Sequence, residues 1–149
     1  MSKQCLDVQQ MQHLQELGLD TSNASMLYCD LYDEEYILVE SKHRFDKEEN
    51  AILLEGVRNS VIYCKKVTPA YNLQDVLDAL PKDISKDGCT WYASLYIDFE
   101  NNRIAYGNTD RYGFEIYHGI MIEKDLIDAA YSMLCWAIEN KFVETNKNE

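Results

Sequence analysis

Two stretches of the chain begin with a polar residue that precedes apolar residues at helical spacing. Asp7 is followed three residues later by Gln10, and Asn72 is followed three residues later by Asp75. This arrangement is typical of a capping box, in which side chain and backbone exchange hydrogen bonds at the start of a helix. Pro81 is expected to end the second helix, because proline cannot continue the hydrogen-bond ladder.

A third stretch, DLIDAAYSMLCWAIENKFV (125–143), is apolar around most of its circumference. Its first residue, Asp125, is a candidate N-cap. A helix with so broad an apolar face packs across a sheet and also touches a second element. We therefore expect this helix to be the central one of a layered domain.

Strict alternation of apolar and polar residues predicts strands between the helices. The segments that show it are MLYCDLY (26–32), YILVE (36–40), SVIYCKKV (60–67), CTWYASLYIDF (89–99), RIAYG (103–107) and FEIYHGIMI (114–122). Residues 41–50 are polar and predict a loop, whereas 51–56 fits either a short strand or one helical turn. In 89–99 the row from Trp91 to Phe99 is predicted to face the helices.

These elements predict the α+β class. We expect one two-layer domain over residues 1–149, with a mostly antiparallel sheet of five or six strands and about three helices largely on one face. The polar end of the chain, from about residue 145, is predicted to be a frayed tail.

The charge narrows the classes of partner. The formal net charge is −12, which disfavours direct binding to nucleic acid or to an anionic membrane, because phosphate contact requires Lys and Arg. No apolar run reaches the roughly 18 residues of a membrane span. Five scattered cysteines, no CxxC pair and no signal-peptide pattern favour reduced thiols and a cytoplasmic location.

No catalytic or metal-binding motif is present in the sequence, so we predict no catalytic residue, no metal and no cofactor. The strongest candidate for chemistry is the set Asp98, Glu100 and His118. Asp98 and Glu100 lie on one strand face, where paired carboxylates could perform acid–base work or hold a divalent cation. Charged residues at a solvated strand end explain the same pattern and are the favoured interpretation.

A tyrosine-rich acidic sheet face is the candidate interaction surface. Tyrosine offers a large contact area at a low entropic cost, although strand-forming residues on a solvated face would show the same pattern. The residues predicted to form this surface are Tyr28, Asp30, Tyr32, Tyr92, Tyr96 and Asp98.

Three segments resemble a group of small, uncharacterised acidic proteins of Bacteroides-like bacteria and of their phages and mobile elements. The segments are QMQHLQELGLDTSNASM, TPAYNLQDVLDALPKDI and KDLIDAAYSMLCWAIENKFV. The resemblance implies a shared fold and a mobile-genome context, and it implies no activity.

We therefore predict a non-catalytic, acidic, cytoplasmic protein-interaction domain, an accessory protein of a phage or mobile element, with a protein partner that is basic. One alternative is an inhibitor of a host defence nuclease or DNA-binding protein that mimics the acidic surface of DNA. The other is a small enzyme or ligand-binding domain with a site near Asp98, Glu100 and His118.

Overall fold

A computed structural model describes residues 3–32, 36–42, 44–46, 48, 51–53, 61–85 and 92–146. Its helices are α1 (Val8–Glu16), α2 (Leu73–Ala79) and α3 (Leu126–Glu139). The strands in this part of the chain are β1 (Met26–Asp30), β2 (Tyr36–Glu40), β3 (Arg44–Asp46), β4 (Ala51–Leu53), β5 (Val61–Tyr63), β6 (Lys66–Ala70), β7 (Asp83–Ser85), β8 (Tyr92–Asp98), β9 (Arg103–Thr109) and β10 (Glu115–Ile122).

The strands pair in three sheets, in the orders β2-β1-β6, β3-β4-β5 and β10-β9-β8-β7. Every pairing between them is antiparallel. The predicted α+β class and the antiparallel pairing are confirmed. The predicted single sheet of five or six strands is not, because the described strands divide among three sheets.

The division occurs inside one predicted strand. The strand predicted over 60–67 is divided in the described residues between β5 and β6, which pair with β4 and β1 in different sheets. Between them Cys64 is fully buried beside Cys29, and the Lys65 amide donates to the Asp30 carbonyl at 2.7 Å. The buried Cys64 therefore lies at the point where the chain leaves one sheet and enters the next. Strand β3 lies in the predicted loop, and β7 was not predicted.

The first two helices begin as predicted. The Gln10 amide donates to the Asp7 carboxylate at 2.8 Å, and the Asp7 amide donates to the Gln10 side chain at 3.0 Å. Asn72 and Asp75 make the same reciprocal pair at 2.9 and 3.1 Å. Asp125 occupies the N-cap position of α3 as predicted, but its side chain accepts no capping hydrogen bond.

Helix α3 crosses β9 and β10 and also packs against α2, while α1 contacts β6. Its side chains Ile127, Met133 and Leu134 belong to the main apolar core. Trp136 stacks on Tyr106 of β9, with ring centroids 6.1 Å apart. The broad apolar face of this sequence is thus explained by contact with both a sheet and a second helix.

The chain is held near its end by a backbone hydrogen bond. The Asn146 amide donates to the Gly18 carbonyl at 2.8 Å. Most of the tail predicted from about residue 145 lies outside the described part, which ends at residue 146. No helix within the described residues is long and apolar enough to cross a membrane.

Candidate interaction surface

The β10-β9-β8-β7 sheet has one face covered by α3 and one face that points away from it, called here the outer face. Tyr96 of β8 lies opposite Ala105 of β9, which lies opposite Ile120 of β10. Because residues directly opposite each other share a sheet face, these three side chains form one row across the outer face. The principal side chains of this face are Tyr92, Tyr96, Asp98, Arg103, Glu115, Tyr117, Ile120 and Ile122.

Large apolar side chains are exposed on the outer face. The exposed fractions are 63% for Tyr92, 51% for Tyr96, 43% for Ile120 and 62% for Ile122. Their strand neighbours Ala93, Ile104 and Tyr106, which point to α3, are fully buried. The alternation of strand side chains therefore supplies both the core and an open apolar surface from the same sheet.

Tyr117 is held flat at the middle of this surface. A Cβ atom built on Gly107 would stand 2.7 Å from Cδ1 of the Tyr117 ring, so only glycine leaves room for the ring at this distance. The Arg103 guanidinium lies 5.8 Å from the ring centroid. The Tyr117 hydroxyl donates to the Glu115 carboxylate, and this hydrogen bond raises the pKa of the phenol.

Asp98 organises the turn that joins β8 to β9. Its carboxylate accepts hydrogen bonds from the Asn101 side chain at 2.8 Å and from the Glu100 and Asn101 amides at 3.1 and 3.2 Å. The Asn101 side chain, these amides and Arg103 lower the pKa of Asp98. Arg103 lies 3.6 Å from the carboxylate. The next turn residue, Asn102, has a positive φ of 49°, as expected for Asn in a tight hairpin.

The sequence-predicted chemical set is not brought together. Asp98 lies at the level of Arg103 and Ile122, whereas His118 sits at a β-bulge between Tyr117 and Gly119. Ile122 lies four positions after His118 in β10, which is about 13 Å along a strand. Glu100 is exposed in the turn beyond Asp98. In the described ranges, no three His, Cys, Asp or Glu side chains are grouped as metal ligands.

Half of the predicted interaction surface lies away from this sheet, in or just beyond β1. Tyr28 and Asp30 belong to β1, which pairs with β2 and β6 and not with β8. The Tyr28 hydroxyl donates to the Leu6 carbonyl at 2.8 Å, and burial raises the pKa of this phenol. Asp30 lies between Tyr36 and Lys66 in the register, and Tyr32 is 66% exposed beyond the end of β1.

Tyr92, Tyr96 and Asp98 do share the outer face. Phe99, which was predicted to face the helices, is instead 67% exposed at the hairpin. Trp91 lies outside the described residues.

Sequence reasoning missed the contribution of β10. Tyr117 and Ile120 are three residues apart, so regular alternation places them on opposite faces of a strand. The bulge at His118 shifts the register by one residue and puts both on the outer face. No signal in FEIYHGIMI marks the bulge beyond Gly119, so the pairing with β9 was needed to find it.

Comparison with protein-family models, with curated proteins and with solved structures gives no match.

Proposed function

We propose that this chain is a non-catalytic protein-interaction domain that binds its partner through the outer face. The observation that carries the proposal is the cluster of Tyr92, Tyr96, Ile120 and Ile122 on one open sheet face, each at least 43% exposed. Contiguous exposed apolar surface is unusual on a monomeric soluble protein and is typical of interaction sites. Tyrosine in particular is enriched in the centres of protein interfaces.

Charge indicates the character of the partner. The chain carries a formal net charge of −12, and a basic protein would be drawn to it by long-range attraction. At the contact itself, Arg103 partly compensates Asp98, and the exposed centre is tyrosine and isoleucine. These features support an apolar contact on an acidic protein more than mimicry of DNA. Mimicry of DNA needs a row of unpaired carboxylates. The cytoplasmic location and the phage or mobile-element context are proposals from the sequence.

The test is capture of a partner with matched tyrosine variants. Tagged wild type, the double variant Tyr92→Ser/Tyr96→Ser and the control Tyr32→Ser are incubated with nuclease-treated lysate of the native host. Tyr32 is a suitable control because it is 66% exposed, close to the 63% of Tyr92, and lies off the outer face. Captured proteins are quantified after washing at low and at high salt.

We expect one near-stoichiometric partner that wild type and Tyr32→Ser retain and that Tyr92→Ser/Tyr96→Ser loses. Loss of that partner at high salt would show that charge contributes, since salt screens attraction between exposed groups. Equal capture by all three proteins would contradict the outer face as the site. No partner at either salt would contradict the interaction function.

A further inference from the structure

Strand β10 is the longest edge strand of the described sheets. It is eight residues long, whereas the other edge strands of the described sheets have three or five residues. Edge strands in natural proteins are commonly protected by Lys, Pro or a bulge; β10 contains neither Lys nor Pro, and its one such device is the bulge at His118. Ile116, Ile120 and Ile122 on this strand are 43%, 43% and 62% exposed.

Two hydrogen bonds fix which backbone groups of β10 point away from β9. At one end the Phe114 carbonyl accepts from Asp110, and at the other end the Glu123 amide donates to Asn102. Backbone groups of an antiparallel strand alternate between its two sides. The residues whose N–H and C=O groups point outward are therefore Glu115, Tyr117, Ile120 and Ile122. In the described part of the chain, no strand pairs with β10 on that side.

These four residues are placed symmetrically about the bulge at His118. Under a two-fold axis between His118 and Gly119, Glu115 lies opposite Ile122 of a second copy, and Tyr117 lies opposite Ile120. Each outward residue then meets another outward residue, which is the requirement for a hydrogen-bonded antiparallel pair. We propose that β10 pairs with β10 of a second copy, which joins two four-stranded sheets into one of eight strands.

The side chains fit this pairing. Tyr117 and Ile120 both lie on the outer face. In the pair, Tyr117 of each copy packs beside Ile120 of the other, and the apolar surface continues from one copy to the next. Two chains of net charge −12 repel each other, however. The dimer is therefore expected to be weak and to strengthen as salt screens the repulsion.

Analytical ultracentrifugation over a concentration series, at low and at high salt, tests the pairing with two variants. Ile120→Lys places a charge at the strand edge, where it would face Tyr117 of the second copy. Tyr96→Lys is the matched control, because Tyr96 lies in the same row of the outer face but two strands away from the edge. Both variants change the net charge equally, and circular dichroism establishes that both are folded.

We expect wild type and Tyr96→Lys to dimerise with rising concentration and more strongly at high salt, and Ile120→Lys to lose at least tenfold in affinity. Amide exchange of Ile120 and Ile122 should slow in the wild-type dimer, while that of Met121, which already bonds to β9, should not change. A wild-type protein that stays monomeric at every concentration would overturn the proposal. Equal loss in both variants would also overturn it, since that result indicates face-to-face packing.

This inference stands apart from the proposed partner. A dimer of purified wild type needs no host factor, whereas the partner test compares capture by Tyr92→Ser/Tyr96→Ser and by Tyr32→Ser in lysate. Failure of either idea is therefore distinguishable from failure of the other.

Discussion

The ring of Tyr117 lies against the backbone of Gly107 so closely that no other residue fits beneath it. A Cβ at position 107 would stand 2.7 Å from the ring and 2.9 Å from the Ile116 carbonyl oxygen. The first contact could be relieved by moving a side chain, but the second involves the neighbouring strand itself. Tyr117 is thus positioned by the same close approach that holds β9 to β10.

Gly107→Ala is expected to lower the free energy of unfolding by about 1–3 kcal/mol, the usual range for overpacking. Urea denaturation followed by circular dichroism measures it. The same substitution in a Tyr117→Ser background should be less destabilising, because the ring is gone and only the carbonyl contact remains. Identical losses in the two backgrounds would contradict the proposed contact with the ring.

Asp75 is expected to stabilise the junction between α2 and the segment before β1. It is only 8% exposed, and its carboxylate accepts from the Ser25 hydroxyl at 2.6 Å, the Ser25 amide at 2.9 Å and the Asn72 amide at 3.1 Å. Asp75→Asn turns one acceptor into a donor and should reduce the free energy of unfolding by about 2–3 kcal/mol.

The control for that substitution is Asp78→Asn, which removes the same charge from the exposed side of the same helix. It should change the free energy of unfolding by no more than about 0.5 kcal/mol. Chemical denaturation of the two variants in parallel makes the comparison. If they were equally destabilised, helix charge rather than the buried hydrogen bonds would be the cause.

Asp7 and Asp125 both precede helices, but only Asp7 makes a capping hydrogen bond. Asp7→Ala should therefore lower the free energy of unfolding by about 1 kcal/mol. Asp125→Ala should lower it less, because only attraction between its charge and the helix dipole is lost. The difference is measured from thermal and urea unfolding at low and high salt. A larger loss at Asp125 would contradict the capping assignment.

Stability is expected to fall at alkaline pH. Burial raises the pKa of the Cys29 thiol from 9.0 to about 12, with Cys64 adding to the shift, and burial raises the pKa of Tyr71 from 10.0 to about 12. Above pH 9 the unfolded chain loses these protons while the folded chain retains them. The stabilisation is thus complete below pH 9 and is lost as the pH rises towards 12.

Urea midpoints measured in the presence of a reductant, from about pH 8 upward, should decrease steadily across this window. Tyr71→Phe removes one of the two groups and should flatten the decrease, even though it also removes the hydrogen bond to Asn23. A midpoint that is independent of pH over the same interval would contradict burial of both groups.

The helix starts at Asp7 and Asn72 were predictable because a capping box is a contact between residues three positions apart. The apolar face of 125–143 was predictable for the same reason, since the helical repeat places its members on one side without reference to the rest of the chain. Tyr92, Tyr96 and Asp98 share a face because a strand alternates with a period of two. Local geometry alone is sufficient for each of these features.

Whether Tyr28 and Tyr92 share one surface depends on which strands pair. Backbone hydrogen bonds do not specify the partner strand, because every strand offers the same N–H and C=O groups. Cys64 lies buried between two strands of different sheets, and no neighbour in sequence indicates that position.

By itself, then, the sequence determined the α+β class, the capped helices, the main strands and the acidic charge, because these depend on composition or on residues a few positions apart. Only the tertiary structure decided the division into three sheets, the bulge at His118 that brings Tyr117 and Ile120 to one face, and the open edge of β10. Each of these arises from pairing between segments distant in sequence, where packing of the whole core selects among partners that the local pattern leaves equivalent.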